Sequence, residues 1–175
     1  YWVNDNSSLI PGAFKTLTAA HVGGGKIRVM SASPNNANTI YFGMSNGRII
    51  KALDANTTPV SSFSTPTAGN PSCIVVEPGN ENHIIVTYSN YGIGSVWETF
   101  TGGAPWTNIE GNLPDMPVRW GIFNPANSTQ FILATELGVW STDLLNGVAT
   151  NWGATNTGLA NVRTDMICSR PSDSL

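Results

Sequence analysis

Few residues in this chain can do acid–base work. Of the 11 Asp and Glu, those in strand or turn positions that could face a cleft are Asp54, Glu77, Glu98, Glu136 and Asp165. Cleaving a glycosidic bond takes two carboxylates about 5 to 10 Å apart across a sugar ring. No spacing along the chain singles out such a pair, so the catalytic residues stay unassigned and each acid reads first as a solvated turn residue. The two histidines, His21 in a loop and His83 opening a strand, have no His-x-x-x-His or Cys-x-x-Cys companion, so neither a metal site nor a cofactor is expected. Gly23-Gly24-Gly25-Lys26 lacks the spacing of a phosphate loop and any following helix. It reads as a flexible approach to the first strand. Cys73 and Cys168 sit in strand-like runs, SCIVV and DMICS, and read as two buried thiols rather than a bridge.

Aromatic side chains offer another chemistry, because Trp and Tyr rings pair a broad apolar face with a polar handle. Four of the tryptophans, Trp97, Trp106, Trp140 and Trp152, fall where burial is expected. Trp120, in an innermost strand, and Tyr88 and Tyr91, in a turn, are the candidates for a ligand-facing surface. Trp2 has no assigned place. The sequons at Asn6, Asn56 and Asn127 are no more frequent than chance in so Asn- and Ser/Thr-rich a chain and carry no weight.

These side chains must be positioned by a scaffold of unusual composition. Charged residues make up 11 % of the chain, against roughly 25 % in an average soluble domain. Asn, Thr and Ser supply the polarity instead, with 18 Gly and 11 Pro, which suits short strands joined by many turns. The net charge is −3 and the Lys and Arg residues are scattered along the chain, which argues against nucleic acid as a partner. No apolar run reaches the ~18 residues that a membrane span requires.

The turns recur. Pro34, Pro78 and Pro125 each open an Asn-rich turn, and Pro171 begins the same pattern again, at intervals of about 45 residues. Seven residues after the first three prolines come Tyr41, Ile85 and Ile132, each in an apolar strand. Apolar runs precede these prolines as well: Ile27 to Met30, Cys73 to Val76 and Trp120 to Phe123. Asn46-Gly47, Gly92 to Gly94 and Gly138 supply the positive φ that tight hairpins need. A repeat of this length, with three or four short strands, predicts an all-β fold made of β-propeller blades, each of four antiparallel strands.

After its second strand each copy reaches a related turn. In the second copy it reads TFTGGAPW, with Thr99, Thr101, Gly103 and Trp106. In the third, Ser141 and Asp143 precede a longer stretch to Trp152, and the first copy keeps only Asp54. This resembles a degenerate Asp-box, S-x-D-x-G-x-x-W, and the phrases EGNLPDMPV and NTGLANVRTDM resemble the links between blades. The whole pattern is similar to the repeats of secreted bacterial sortilin-like propellers and of xyloglucan-active glycoside hydrolases. The resemblance implies that the box residues close a blade turn at the outer rim, away from the ligand face.

The expected layout is a lead-in over 1–26 that ends a preceding blade, blades over 27–71, 72–117 and 118–161, and the start of a further blade over 162–175. Three blades and a partial one leave open sheet edges, so the chain is expected to belong to a larger propeller, closed by its own further blades or by a complementing chain. The resulting expectation is a non-catalytic segment of a secreted or cell-surface protein, serving binding or scaffolding, with a polysaccharide or a cell-surface protein as partner. A segment of a polysaccharide hydrolase whose acids lie elsewhere, and a structural repeat of an adhesin, are the alternatives.

Overall fold

A computed structural model describes residues 16–17, 19–158 and 160–169. Trp2, the Asn6 sequon and Pro171 lie outside the described residues. After a one-turn helix, α1 (Ala19–Val22), the chain forms three four-stranded antiparallel sheets in sequence order. The first contains β1 (Ile27–Ala32), β2 (Ile40–Met44), β3 (Ile49–Leu53) and β4 (Val60–Ser64). The second contains β5 (Pro71–Glu77), β6 (Asn80–Tyr88), β7 (Val96–Thr99) and β8 (Thr107–Asn108). The third contains β9 (Val118–Asn124), β10 (Asn127–Thr135), β11 (Gly138–Thr142) and β12 (Gly153–Ala154). Each strand pairs with its sequence neighbour, and the first strands β1, β5 and β9 lie side by side. The sheets are therefore blades arranged around a shared inner edge, as the repeat predicts.

Strand alternation glues the blades. Successive side chains of a strand point to opposite faces, so a central strand serves two cores. In β6, Ile84, Val86 and Tyr88 join Tyr41, Ile49, Ile74 and Val76 in the core between the first two blades. Ile85 joins Val118, Phe123, Phe131 and Leu133 in the core between the second and third. The other face of the first blade buries Phe42, Met44 and Ile50 beneath Leu17 and Val22 of the preceding segment. His21 thus lies on α1 rather than in an open loop, and its Nδ1 meets Ser61 Oγ at 2.8 Å.

The turns repeat in the same detail. In each blade the turn after the third strand donates to the start of the second: Ala55 N to Asn38 O, Gly102 N to Asn82 O, and Leu145 N to Thr129 O, all at 2.8 Å. In the second blade this turn is closed by hydroxyls. Thr99 Oγ1 donates to Gly103 O and accepts from Thr101 N, and Thr101 Oγ1 donates to Ala104 O at 2.9 Å. The ladder corrects the expected match in the third blade. Thr99 pairs with Ile84, and its counterpart opposite Phe131 is Thr142, one residue beyond Ser141. Thr142 Oγ1 closes that turn onto Leu144 O at 3.0 Å, whereas Ser141 Oγ bonds Thr155 Oγ1 just beyond β12 and Asp143 accepts from Gln130. The extra residues before Trp152 are taken up by a 3-10 turn, Gly147–Ala149.

Trp106 and Trp152 occupy equivalent places just before the fourth strands and tie each blade to the one before it. Trp106 Nε1 donates to Ser64 Oγ of β4, and Trp152 Nε1 donates to Ile109 O just after β8, each at 2.9 Å. Asn112 of the EGNLP link clasps the Trp152 backbone at both ends, accepting from its N at 2.6 Å and donating to its O at 2.9 Å.

Candidate functional site

The innermost strands and the turns that leave them enclose a cavity of about 670 Å³. Pro34, Pro78 and Pro125, the three repeat prolines, all line it, with Trp120, Asn124, Asn127 and Ser128 among the side chains around it. The Pro-Asn turns end β1, β5 and β9 at one level, so equivalent residues of successive blades meet there. Among the described residues, no Asp, Glu, Lys, Arg or His lines this cavity. Apolar walls with a few hydroxyl and amide groups suit a neutral ligand that offers both faces and hydroxyls.

The charged chemistry lies elsewhere. His83, 5 % exposed, stands in β6 between Glu77 at the end of β5 and Glu98 in β7. Its Nδ1 lies 2.8 Å from Glu77 Oε2 and its Nε2 2.9 Å from Glu98 Oε1. With both carboxylates ionised each can only accept, so both ring nitrogens must donate, an arrangement that favours the imidazolium. Burial pulls the His83 pKa down, but the hydrogen bonds and charges of Glu98 and Glu77 outweigh it and hold it above its ordinary value. Burial raises the Glu77 pKa, and the hydrogen bonds from Ser128 and His83, with the imidazolium charge, outweigh it and lower it. Phe100 stacks on the ring at 4.3 Å and Phe123 meets it edge-on at 5.0 Å. Glu98 is 2 % exposed, which corrects its reading as a solvated turn acid. The two carboxylates grip different nitrogens instead of converging on one point, so the cluster is built as a clamp across β5, β6 and β7 of the second blade, with Phe123 and Ser128 of the third blade against it.

Other acids are bound up in the same way. Glu81 receives the Tyr41 hydroxyl at 2.6 Å and the Ser33 hydroxyl, joining the second blade to the first. Burial and Glu81 raise the Tyr41 pKa far above the phenol range. Glu136 holds Arg119 at 2.6 Å and Asp165 holds Arg163 at 2.7 Å. Asp54 sits at the place of Thr101, with φ +50 in its turn.

Of the three ligand-face candidates, Trp120 lines the cavity and is half-buried. Tyr91 is 63 % exposed in the turn after β6. Tyr88 is the last residue of β6, 0 % exposed, and its hydroxyl donates to Gly47 O at 3.0 Å. It joins two blades and offers no ring face to a ligand. Cys73 is buried and Cys168 exposed, both free, so only the first matches the expected pair of buried thiols. Burial pushes the Cys73 thiol up to about 11, with the Gly121 carbonyl contact acting the other way.

The architecture has solved counterparts. An ancestral GH74 enzyme matches 81 % of this chain with a TM-score of 0.57 and 18 % identity. The GH74 xyloglucanase from Xanthomonas campestris matches 85 % with a TM-score of 0.60 and 10 % identity. A β-propeller domain from Myceliophteria thermophila matches 74 % with a TM-score of 0.55 and 12 % identity. The chain has the β-propeller fold. It spans only 19 %, 26 % and 37 % of those three chains. No family model and no curated protein matches its sequence. Among the described residues no helix is long and apolar enough to cross a membrane.

Proposed function

We propose that this chain is a non-catalytic segment of a larger β-propeller in a secreted or cell-surface protein, and that its innermost strands hold a neutral polysaccharide. The observation that carries this reading is the cavity lined by Trp120, the repeat prolines, amides and hydroxyls, with no charged side chain among the described residues. A neutral sugar presents apolar ring faces and hydroxyls, the two features such a lining can satisfy. The carboxylates that could have served hydrolysis are bound to structural partners: Glu77 and Glu98 to His83, Glu136 to Arg119, Asp165 to Arg163. The degenerate Asp-box turns act as blade closures in this reading. Further blades, or a complementing chain, cover the open edges of the outer sheets.

A second reading has its own support. Two of the structural neighbours are GH74 enzymes, one described as a xyloglucanase. In that reading the chain is a segment of a polysaccharide hydrolase whose acid pair lies on other blades. Affinity electrophoresis of the full-length protein through gels containing xyloglucan and other neutral glucans tests binding, and reducing-sugar release tests hydrolysis. Retardation without sugar release is expected. Trp120→Ala should weaken binding roughly 2- to 12-fold, the loss of an aromatic contact of about 0.5–1.5 kcal/mol. Unretarded migration in every neutral glucan overturns the binding reading, and endo-cleavage selects the hydrolase.

A further inference from the structure

Three arginines that stand far apart in sequence meet at the other mouth of the innermost strands. Arg28 follows Ile27 at the start of β1, Arg119 follows Val118 at the start of β9, and Arg163 follows Val162 where the next repeat begins. Ser72 holds the same place in β5. All four line one cavity of about 360 Å³, together with Trp120, which also lines the larger neutral cavity. In a chain of net charge −3, this mouth is a local concentration of cations, contrary to their scattered look along the sequence. Asp165 lines the same cavity beside Arg163, and Glu136 holds Arg119, so the three arginines leave an excess of one positive charge, carried by Arg28, and such an excess draws anionic ligands.

The ion pairs leave the guanidinium groups usable. Arg119 Nε and Nη2 both donate to Glu136 Oε2, at 3.2 and 2.6 Å. Arg163 likewise meets Asp165 Oδ1 through Nε and Nη2, each at 2.7 Å. Each carboxylate grips one edge of its guanidinium, which fixes the plane and leaves Nη1 to donate elsewhere. Arg28 is exposed and forms no ion pair among the described residues. Guanidinium forks match the oxygens of carboxylates and of tetrahedral oxyanions.

We infer that this mouth binds an acidic saccharide, a sugar bearing a carboxylate or a sulfate ester, held by Arg28, Arg119 and Arg163 at the end of the path that Trp120 lines. The saccharide part of this inference rests on the polysaccharide reading above; the anion part rests on the arginines alone. The test is calorimetric titration of the full-length protein with oligogalacturonate, with a sulfated galactan oligosaccharide and with a neutral cello-oligosaccharide, at low and high salt. Binding of an acidic oligosaccharide, weakened by salt, is expected. Arg28→Gln should weaken it about tenfold or more while leaving neutral-sugar binding unchanged. Arg28 contributes to no ion pair among the described residues, so this variant should fold like the wild type, checked by its unfolding midpoint. Binding of only the uronate assigns a carboxylate site, and binding of only the sulfated sugar a sulfate site. Acidic binding without neutral binding removes the polysaccharide reading and keeps the anion site. Failure of both acidic oligosaccharides to bind, or equal affinity in the Arg28→Gln variant, overturns the inference.

Discussion

Replacing His83 by alanine tests the clamp across the second blade most directly. The substitution removes a buried imidazolium from between Glu77 and Glu98 and leaves Glu98, 2 % exposed, without its partner. Breaking a buried ion pair from one side costs about 3–5 kcal/mol, because the remaining charge has no compensation. The lost stack on Phe100 and edge contact on Phe123 act in the same direction. For a domain of this size each kcal/mol moves the midpoint by about 2–4 °C, so the expected fall in Tm is roughly 6–20 °C. Urea unfolding followed by tryptophan fluorescence measures the loss directly.

The pH dependence supplies the second half of the test. His83 has a raised pKa in the folded state, so its stabilisation is fully present below its unfolded pKa of about 6.5 and is lost as pH rises through the folded value. Glu77 has a lowered pKa, so its contribution is present above the unfolded value of about 4.3 and is lost as pH falls through the folded one. Wild-type stability should therefore be greatest between about pH 4.3 and about pH 6.5 with respect to this cluster, and decline on the alkaline side. His83→Ala should lack that alkaline decline. Glu98→Gln, which keeps an acceptor but removes a charge, should cost about 1.5–3 kcal/mol and move the decline to lower pH. A His83→Ala variant within about 1 kcal/mol of wild type, or a wild-type stability flat from about pH 6 to about pH 9, would refute the reasoning.

Trp152→Ala should cost about 3–5 kcal/mol, because the ring is 2 % exposed and joins the third blade to the link of the second; Trp106→Ala, at a half-buried ring, should cost less, and urea midpoints compare them. Native protein treated with iodoacetamide near pH 8 should be alkylated at Cys168 and spared at Cys73, which is buried with its thiol pushed up to about 11; peptide mass spectrometry reads the sites, and equal labelling would contradict the burial of Cys73. Gly47 and Gly79 have nearly the same φ, +84 and +87, but a Cβ on Gly47 would run into the Thr67 carbonyl oxygen while one on Gly79 would meet nothing. Gly79→Ala should therefore cost only the backbone term, about 1–2 kcal/mol, and Gly47→Ala clearly more, measured by the same unfolding assay.

The parts legible in the sequence were those written in one repeat at a time. Proline-asparagine turns, apolar runs and glycines at fixed offsets gave the strands and the sheets, because each of these is a local instruction. Burial of Tyr88 is also written in the sequence, because it continues the alternation of Ile84 and Val86 that faces the first blade, and that parity outweighs its nearness to the turn. The shift from Ser141 to Thr142 has the same origin, because residue type does not say which residue stands opposite in the ladder. The His83 clamp was out of reach. Glu77 and Glu98 lie 6 and 15 residues from His83, on three strands whose alignment depends on hairpin register, so no spacing along the chain advertises the contact. Arg28, Arg119 and Arg163 fall between these cases. Their linear distribution looks random, yet each occupies the same place at the start of its repeat, and placing that position at one mouth makes them neighbours. In a fold built by repetition, a charge pattern is read by superposing repeats, because the inner strands bring equivalent positions together whatever their distance along the chain.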